Sequence, residues 1–163
     1  KGIWSSIESR NFFELDHALG RHNEFSDAFT PMTFVGNHDV TRIASRVGQD
    51  GAVLATAILA TIGGIPLIYY GDELAYRGVK EERFGGDDDI RPVFPASPAD
   101  LSNLGADTLR AHQSLLGLRR RHQWLVDART ESLDLTNERY VYRTGVPGPC
   151  QRHRINPVTS GWQ

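Results

Sequence analysis

Three polar residues follow directly after a short apolar run in the first third of the chain. The run reads MTFV at 32–35, and Asn37, His38 and Asp39 come just beyond it. A carboxylate at such a place accepts hydrogen bonds from sugar hydroxyls and stabilises positive charge that forms on a nearby sugar ring. Asp39 is therefore the first candidate for chemistry. A carboxylate that only caps the following helix, near Arg42, fits the pattern equally well.

A pair of carboxylates follows a second apolar run. Asp72 and Glu73 come after IPLIYY at 65–70 and one glycine. Paired carboxylates act as acid and base, or they bind a cation. A structural pair that contacts Arg77 or Arg83 is the preferred interpretation.

No metal or phosphate site is predicted from the remaining polar residues. The three aspartates at 87–89 lack the spacing and the closing glutamate of an EF-hand, so a solvated acidic loop is expected. The histidines show no metal-ligand spacing, and no serine lies in a nucleophile elbow. The glycines at 63–64 end a helix and precede a strand, which is the reverse of a phosphate loop.

Composition argues against several classes of protein, among them nucleic-acid-binding, membrane-spanning and disulfide-linked proteins. The chain has 163 residues, 39% of them hydrophobic, and a net charge of −2, typical of a single globular domain. There is no basic excess for nucleic acid, and the arginines at 119–121 complement the dipole at a helix end. No apolar run reaches the roughly 20 residues that span a bilayer. One cysteine, Cys150, excludes an internal disulfide and leaves the compartment open, with the cytoplasm favoured.

Apolar spacing predicts helices and strands that alternate along the chain. The order is helix at 3–9, helix at 12–22, strand at 32–35, helix at 41–47, helix at 52–62, strand at 65–70, loop at 71–104, helix at 109–121 and hairpin at 128–143. Continuous apolar strands are typical of a sheet that is covered on both faces. Two strand–helix units in series predict part of a parallel α/β architecture, whose active face lies at the carboxyl ends of the strands.

Two motifs resemble the alpha-amylase family of glycoside hydrolases, family 13. TFVGNHD at 33–39 looks like the seventh-strand motif of that family, and GIPLIYYGDE at 64–73 resembles the eighth-strand motif. They occur in the family's order, with a helix of suitable length between them. The resemblance runs from about residue 1 to about residue 144.

The resemblance implies an α/β fold and a domain division. Residues 1–124 would form the C-terminal portion of a (β/α)8 TIM barrel, with strands 7 and 8 and their helices. Residues 125–144 would begin an all-β domain. The tail at 145–163 is rich in proline, glycine and arginine, so we expect it to be irregular, as a frame change would make it. Resequencing that confirms the same frame would contradict this interpretation.

The resemblance also implies roles for individual residues. Asp39 matches the family's third catalytic carboxylate, which holds hydroxyls of the sugar at the cleavage site and favours an oxocarbenium-like ring. His38 would hydrogen-bond the same sugar, and Asn37 would support it. Arg42 falls where many members keep an arginine near the site.

A third set of matches lies further along the chain. Asp87 and Arg91 resemble an Asp-x-x-x-Arg pair that contacts a sugar towards the non-reducing end, although the residues between them differ from the usual ones. Asp72 and Glu73 match a motif whose role is mainly structural. The expected substrate-binding residues are therefore His38, Asn37, Arg42, Asp87 and Arg91.

The activity that the resemblance implies is retaining hydrolysis of α-glucosidic bonds in starch-like or malto-oligosaccharide substrates. The nucleophilic aspartate and the general-acid glutamate would lie upstream of Lys1, so we expect a fragment that is inactive alone. No cofactor is expected within the chain, whereas calcium would be held in the full-length parent. The expected partner is an α-glucan, with no nucleic acid and no membrane.

Two alternatives stay open. One is a transglycosylase or isomerase of the same family, such as a trehalose synthase or a glucanotransferase. The other is a non-catalytic sugar-binding homologue, against which the presence of His38 and Asp39 argues. Acceptor-site loops and the upstream carboxylates would decide between them.

Overall fold

A computed structural model describes residues 1–148, 154–155 and 158–159, with side chains for 1–148. Cys150 and most of the tail after residue 148 lie outside the described residues, so the predictions for them remain predictions. Among the described residues the α-helices are α1 Gly2–Ser9, α2 Phe12–Ala28, α3 Ile43–Thr61 and α4 Ala106–Arg121. Within the described part, no helix is long and apolar enough to cross a membrane.

In the part of the chain that the structure describes, six strands form two small sheets. The strands are β1 Met32–Thr33, β2 Ile65–Pro66, β3 Arg129–Leu135, β4 Tyr140–Gly145, β5 Arg154–Ile155 and β6 Val158–Thr159. β1 and β2 pair in parallel, whereas β4 pairs antiparallel with β3, β5 and β6. Short 3-10 turns connect β2 to α4 and α4 to β3.

Helix α3 forms the centre of the hydrophobic core. Its buried residues lie on several sides of the helix, as expected for a helix that is apolar nearly all round. The predicted break at Gly48 is confirmed, because Gly48 has a φ of 73° and bends the helix there. Most other core residues come from α1, α2 and β4, and they include Ile7, Leu15, Leu19, Tyr140 and Tyr142.

The parallel strands are shorter than the sequence predicts. The runs at 32–35 and 65–70 each contribute two paired residues, with Met32 opposite Ile65 and Thr33 opposite Pro66. Met32 is 64% exposed, and Phe34 and Leu67 are also exposed. The expectation that both faces are covered is therefore wrong within the described residues, because no neighbouring strand or helix layer lies over these side chains there.

The antiparallel hairpin confirms the prediction for 128–143. The turn is closed by a bond from the Thr136 amide to the Arg139 carbonyl oxygen, at 2.8 Å. Asn23 of α2 ties the hairpin to the helices, since its Nδ2 donates to the Thr130 carbonyl oxygen at 2.8 Å. The expected irregular tail is wrong at 154–155 and 158–159, because both pairs of residues form a ladder with β4. The sequence shows no apolar pattern there, but a ladder needs only backbone partners.

Arg119 joins α4 to the end of α3. Its buried guanidinium donates to the carbonyl oxygens of Ala60 at 3.1 Å, of Ile62 at 2.8 Å and of Gly64. These carbonyls lie at the end of α3 and just before β2, where intrahelical donors run out. Arg119 therefore has a role beyond the helix-dipole interaction that the sequence predicts for 119–121.

We expect Arg119→Met to lower the free energy of unfolding by about 2–4 kcal/mol, because three buried carbonyl groups lose their donor. The matched control is Arg120→Met on the exposed side of the same helix turn, which should change stability by less than about 0.5 kcal/mol. Urea unfolding followed by tryptophan fluorescence measures both. Similar small losses in the two variants would contradict this role of Arg119.

Candidate active site

Asp39 lies in the loop between β1 and α3 and faces solvent. Its side chain is 56% exposed, and its backbone amide donates to Asn37 Oδ1 at 2.8 Å. This Asx-type bond holds the turn after the strand. Helix α3 begins after Arg42 with no side-chain cap. The alternative that Asp39 merely caps this helix is therefore wrong.

Arg91 brings the two distant parts of the predicted site together. Its Nη2 lies 3.0 Å from Asp39 Oδ1 and 2.7 Å from Asp87 Oδ2. Its Nε donates to the His38 carbonyl oxygen at 2.9 Å, and His38 Nε2 lies 3.3 Å from Asp39 Oδ2. One guanidinium thus bridges two carboxylates from loops about fifty residues apart in sequence. The predicted site residues Asn37, His38, Asp39, Asp87 and Arg91 converge on one exposed surface.

The loop that carries Arg91 is held by a buried residue and a short turn. Ile90 is fully buried directly before Arg91. The amides of Ile90 and Arg91 donate to the carbonyl oxygens of Asp87 and Asp88, both at 3.1 Å. Apolar burial of Ile90 therefore directs its neighbour Arg91 to the surface, where it meets Asp39.

Arg42 does not join this surface. It is 1% exposed, and its Nη1 lies 3.1 Å from Asp72 Oδ1 and donates to the Tyr70 carbonyl oxygen at 2.5 Å. The expected contact between Arg42 and substrate does not fit this burial, because a sugar cannot reach the side chain. Asp72 is a structural carboxylate as expected, but its partner is Arg42 rather than Arg77 or Arg83.

The Arg42–Asp72 ion pair connects the start of α3 to the segment that follows β2. Burial raises the pKa of Asp72 to about 6, and the hydrogen bond and charge of Arg42 oppose that rise. A Cβ atom on Gly36 would lie 3.1 Å from Asp72 Oδ2, so the glycine before Asn37 permits this close approach. The segment with Asp39 and the segment after β2 are therefore packed against each other.

Two tyrosines at the site were missed by sequence reasoning. The Tyr69 hydroxyl donates to the Ile90 carbonyl oxygen at 3.3 Å, and the Tyr70 hydroxyl donates to the Pro92 carbonyl oxygen at 2.8 Å. Both bonds hold the chain on either side of Arg91. The sequence does place two adjacent tyrosines at the end of an apolar run. A reading by apolar spacing assigns such residues to the core and disregards their hydroxyl groups.

The acidic run at 87–89 is not assembled as a metal site in the structure. Asp87 pairs with Arg91 and lies 4.0 Å from Lys80 Nζ. Among the residues with described placement, no three His, Cys, Asp or Glu side chains are grouped as metal ligands. The calcium expected for the full-length parent remains a prediction.

Comparison with known proteins agrees with this arrangement. The family model described as the alpha amylase catalytic domain matches residues 3–129. The chain belongs to the alpha-amylase family. This match covers both parallel strands, the loop with Arg91 and helix α4.

Individual relatives of this alpha-amylase-family chain are much longer than the chain. It is 43% identical over 80 residues to a 4-alpha-glucanotransferase from Thermotoga neapolitana, and 35% identical over 101 residues to an alpha-amylase from Streptomyces lividans. These matches cover 47% and 53% of the chain, but only 18% and 10% of the two relatives.

Solved structures share the fold at low sequence identity. AmyP in complex with maltose superposes with a TM-score of 0.73 at 16% identity, over 89% of this chain and 36% of AmyP. The alpha-amylase from H. orenii gives a TM-score of 0.64 at 20% identity, over 88% of this chain and 36% of that one. The described fold therefore corresponds to part of an alpha-amylase-family enzyme.

Proposed function

We propose that this chain belongs to a retaining glycoside hydrolase that cleaves α-glucosidic bonds in starch-like or malto-oligosaccharide substrates. The observation that carries the proposal is the convergence of His38, Asp39, Asp87 and Arg91 on one exposed surface at the carboxyl ends of two parallel strands. In parallel α/β proteins this edge is where substrates bind. Charged and hydrogen-bonding groups at such an edge suit a ligand that is rich in hydroxyls.

Asp39 would stabilise the transition state. Its Oδ1 contacts Arg91, whereas its Oδ2 contacts only the His38 ring at 3.3 Å among the described residues. Oδ2 is therefore the oxygen that accepts hydrogen bonds from sugar hydroxyls. The negative charge opposes the positive charge of an oxocarbenium-like ring. His38 would bind the same sugar, and Asn37 supports the turn that presents both residues.

Asp87 and Arg91 would bind the next sugar towards the non-reducing end. A single nitrogen of Arg91, Nη2, contacts both carboxylates, and part of the side chain is exposed. A guanidinium presents five N–H donors in a rigid planar fork, so donors that do not contact a carboxylate can bond sugar hydroxyls. The pair therefore suits a chain of sugars rather than a single ring.

We also propose that residues 1–124 are the C-terminal portion of a (β/α)8 barrel and that 125–144 begin a β-domain. The parallel pair β1–β2, joined through α3, and the hairpin β3–β4 support this division. The exposed apolar side chains of the first sheet fit a surface that further strands and helices cover. The nucleophile, the general acid and any calcium would then be supplied by the upstream part of the parent, so this chain alone would be inactive.

The names of the relatives support the substrate class. They include 4-alpha-glucanotransferases, alpha-amylases and an alpha-glucosidase, and two structural neighbours were solved with maltose and maltotriose. A transglycosylase is the second candidate, because two Thermotoga glucanotransferases match at 43% and 40% identity. The presence of both His38 and Asp39 argues against a non-catalytic sugar-binding protein, and the upstream carboxylates would decide between the two.

The proposal predicts the stereochemistry of the product. The full-length enzyme, given maltoheptaose and followed by proton NMR from the first turnover, should release products as the α anomer, because two successive displacements retain configuration. Cellohexaose, with β linkages, is the matched control and should not react. A β anomer as first product would contradict a retaining enzyme, and binding without turnover would favour the sugar-binding alternative. Longer oligosaccharides after addition of glucose would indicate transfer.

A further inference from the structure

The position of Arg91 determines the geometry of the whole exposed site. It contacts both carboxylates and the backbone of His38, so a shift of Arg91 moves Asp39 and Asp87 together. Its side chain is 42% exposed, so burial within the site does little to hold it. The residues that pack beneath Arg91 must therefore fix its position.

Two tyrosine hydroxyls hold the backbone on both sides of Arg91. Tyr69 bonds the carbonyl oxygen of Ile90, the residue before it, and Tyr70 bonds that of Pro92, the residue after it. The two rings lie edge to face with their centroids 4.8 Å apart. Adjacent residues of one segment thus hold a second segment at two carbonyl groups, one on each side of Arg91.

The buried guanidinium of Arg42 contacts both tyrosine rings. The Arg42 Cζ lies 4.2 Å from the centroid of the Tyr69 ring and 4.9 Å from that of Tyr70. Its Nη1 also bonds the Tyr70 carbonyl oxygen and Asp72. A cation desolvated over aromatic faces binds them more strongly than an exposed one. Arg42 therefore orders the tyrosines without touching the exposed site.

We propose that Arg42, Tyr69 and Tyr70 form a positioning network that sets the place of Arg91 and, through it, the orientation of Asp39. The inference rests on the proposed function, since it assigns how the site of that function is kept in shape. Arg42, expected from the sequence to contact substrate, is a positioning residue instead. Arg42, at 1% exposure, is too deeply buried to touch a sugar.

The test is a double-mutant cycle on kcat/KM of the full-length enzyme with maltoheptaose. Tyr69→Phe/Tyr70→Phe keeps both rings and the contact with Arg42 but removes both hydroxyl bonds to the loop. We expect kcat/KM to fall by about 10- to 100-fold, because small misplacements of binding groups cost this much. In an Arg91→Met background the same two substitutions should lower kcat/KM by less than about 2-fold, because their effect passes through Arg91.

The matched control is Tyr142→Phe, which removes the buried hydroxyl that lies 2.6 Å from Thr61 Oγ1 in the core. It should lower stability while leaving kcat/KM near the wild-type value. Equal losses from the tyrosine pair with and without Arg91 would overturn the positioning inference. Asp39→Asn would still lower kcat by about 10³-fold in that case, so the proposed function would stand. A wild-type enzyme without activity on maltoheptaose would overturn both.

Discussion

Asp39→Asn in the full-length enzyme is expected to lower kcat on malto-oligosaccharides by about 10³-fold while the protein remains folded. Asparagine has nearly the same shape, but it lacks the negative charge that stabilises an oxocarbenium-like ring, and losses of this order follow removal of one stabilising group. Folding should be preserved, because the contact with Arg91 is an exposed ion pair. Such pairs contribute about 0–1 kcal/mol.

The matched control for this substitution is Asp89→Asn, in the same loop as Arg91. Asp89 is exposed, and its carboxylate makes no hydrogen bond or ion pair in the described part of the chain. Initial rates with maltoheptaose and thermal unfolding of both variants should be measured together. Turnover near the wild-type value in folded Asp39→Asn would remove Asp39 from the chemistry, whatever the geometry around it.

The part of the site that depends on local pattern was predictable from the sequence. Asn37, His38 and Asp39 follow an apolar run, and polar residues at a strand end face the open edge of a sheet. Asp87 and Arg91 came only from the resemblance, because no spacing rule connects them to a residue about fifty positions earlier. Their meeting depends on the buried Ile90, whose anchoring role only the folded chain reveals.

Arg42 shows what a residue's type and place in the chain leave undetermined. Three positions after Asp39, a charged side chain is expected to be near the site and at the surface. The structure puts it inside, where Asp72 supplies a counter-charge and two tyrosine rings cover it. Burial of a charge depends on partners from other segments, and these partners lie about thirty residues away.

Elements that follow from a local periodic pattern were predictable from the sequence. Strands whose partners lie far away in the chain were not. Helices α1 to α4 and the hairpin β3–β4 follow from 3.6-residue and alternating patterns. The lengths of β1 and β2 depend on neighbouring strands, so apolar runs of four and six residues gave ladders of only two. Backbone pairing also explains why β5 and β6 form without an apolar signal.

The largest stability effect is expected for Arg42→Met. This change leaves Asp72, only 3% exposed, without the cation that compensates its charge, and we expect a loss of about 3–5 kcal/mol in the free energy of unfolding. Replacing both partners, as Arg42→Met/Asp72→Leu, should cost much less, because an apolar pair of similar size needs no compensation. Urea unfolding of the full-length enzyme at several pH values measures both variants.

The loss in Arg42→Met should depend on pH with a defined sign. The pKa of Asp72 is already raised to about 6 by burial, and without Arg42 it rises further, because both contributions of Arg42 lower it. A carboxyl group whose pKa is higher in the folded state than its unfolded value, about 3.9, binds its proton more tightly when folded. Its contribution to stability is then present below the unfolded pKa and is lost as the pH rises through the folded pKa. Arg42→Met should therefore be less stable at pH 8 than at pH 5, relative to Arg42→Met/Asp72→Leu at the same two pH values. A pH-independent difference between the two variants would mean that Asp72 becomes solvated once Arg42 is gone, so that burial no longer raises its pKa.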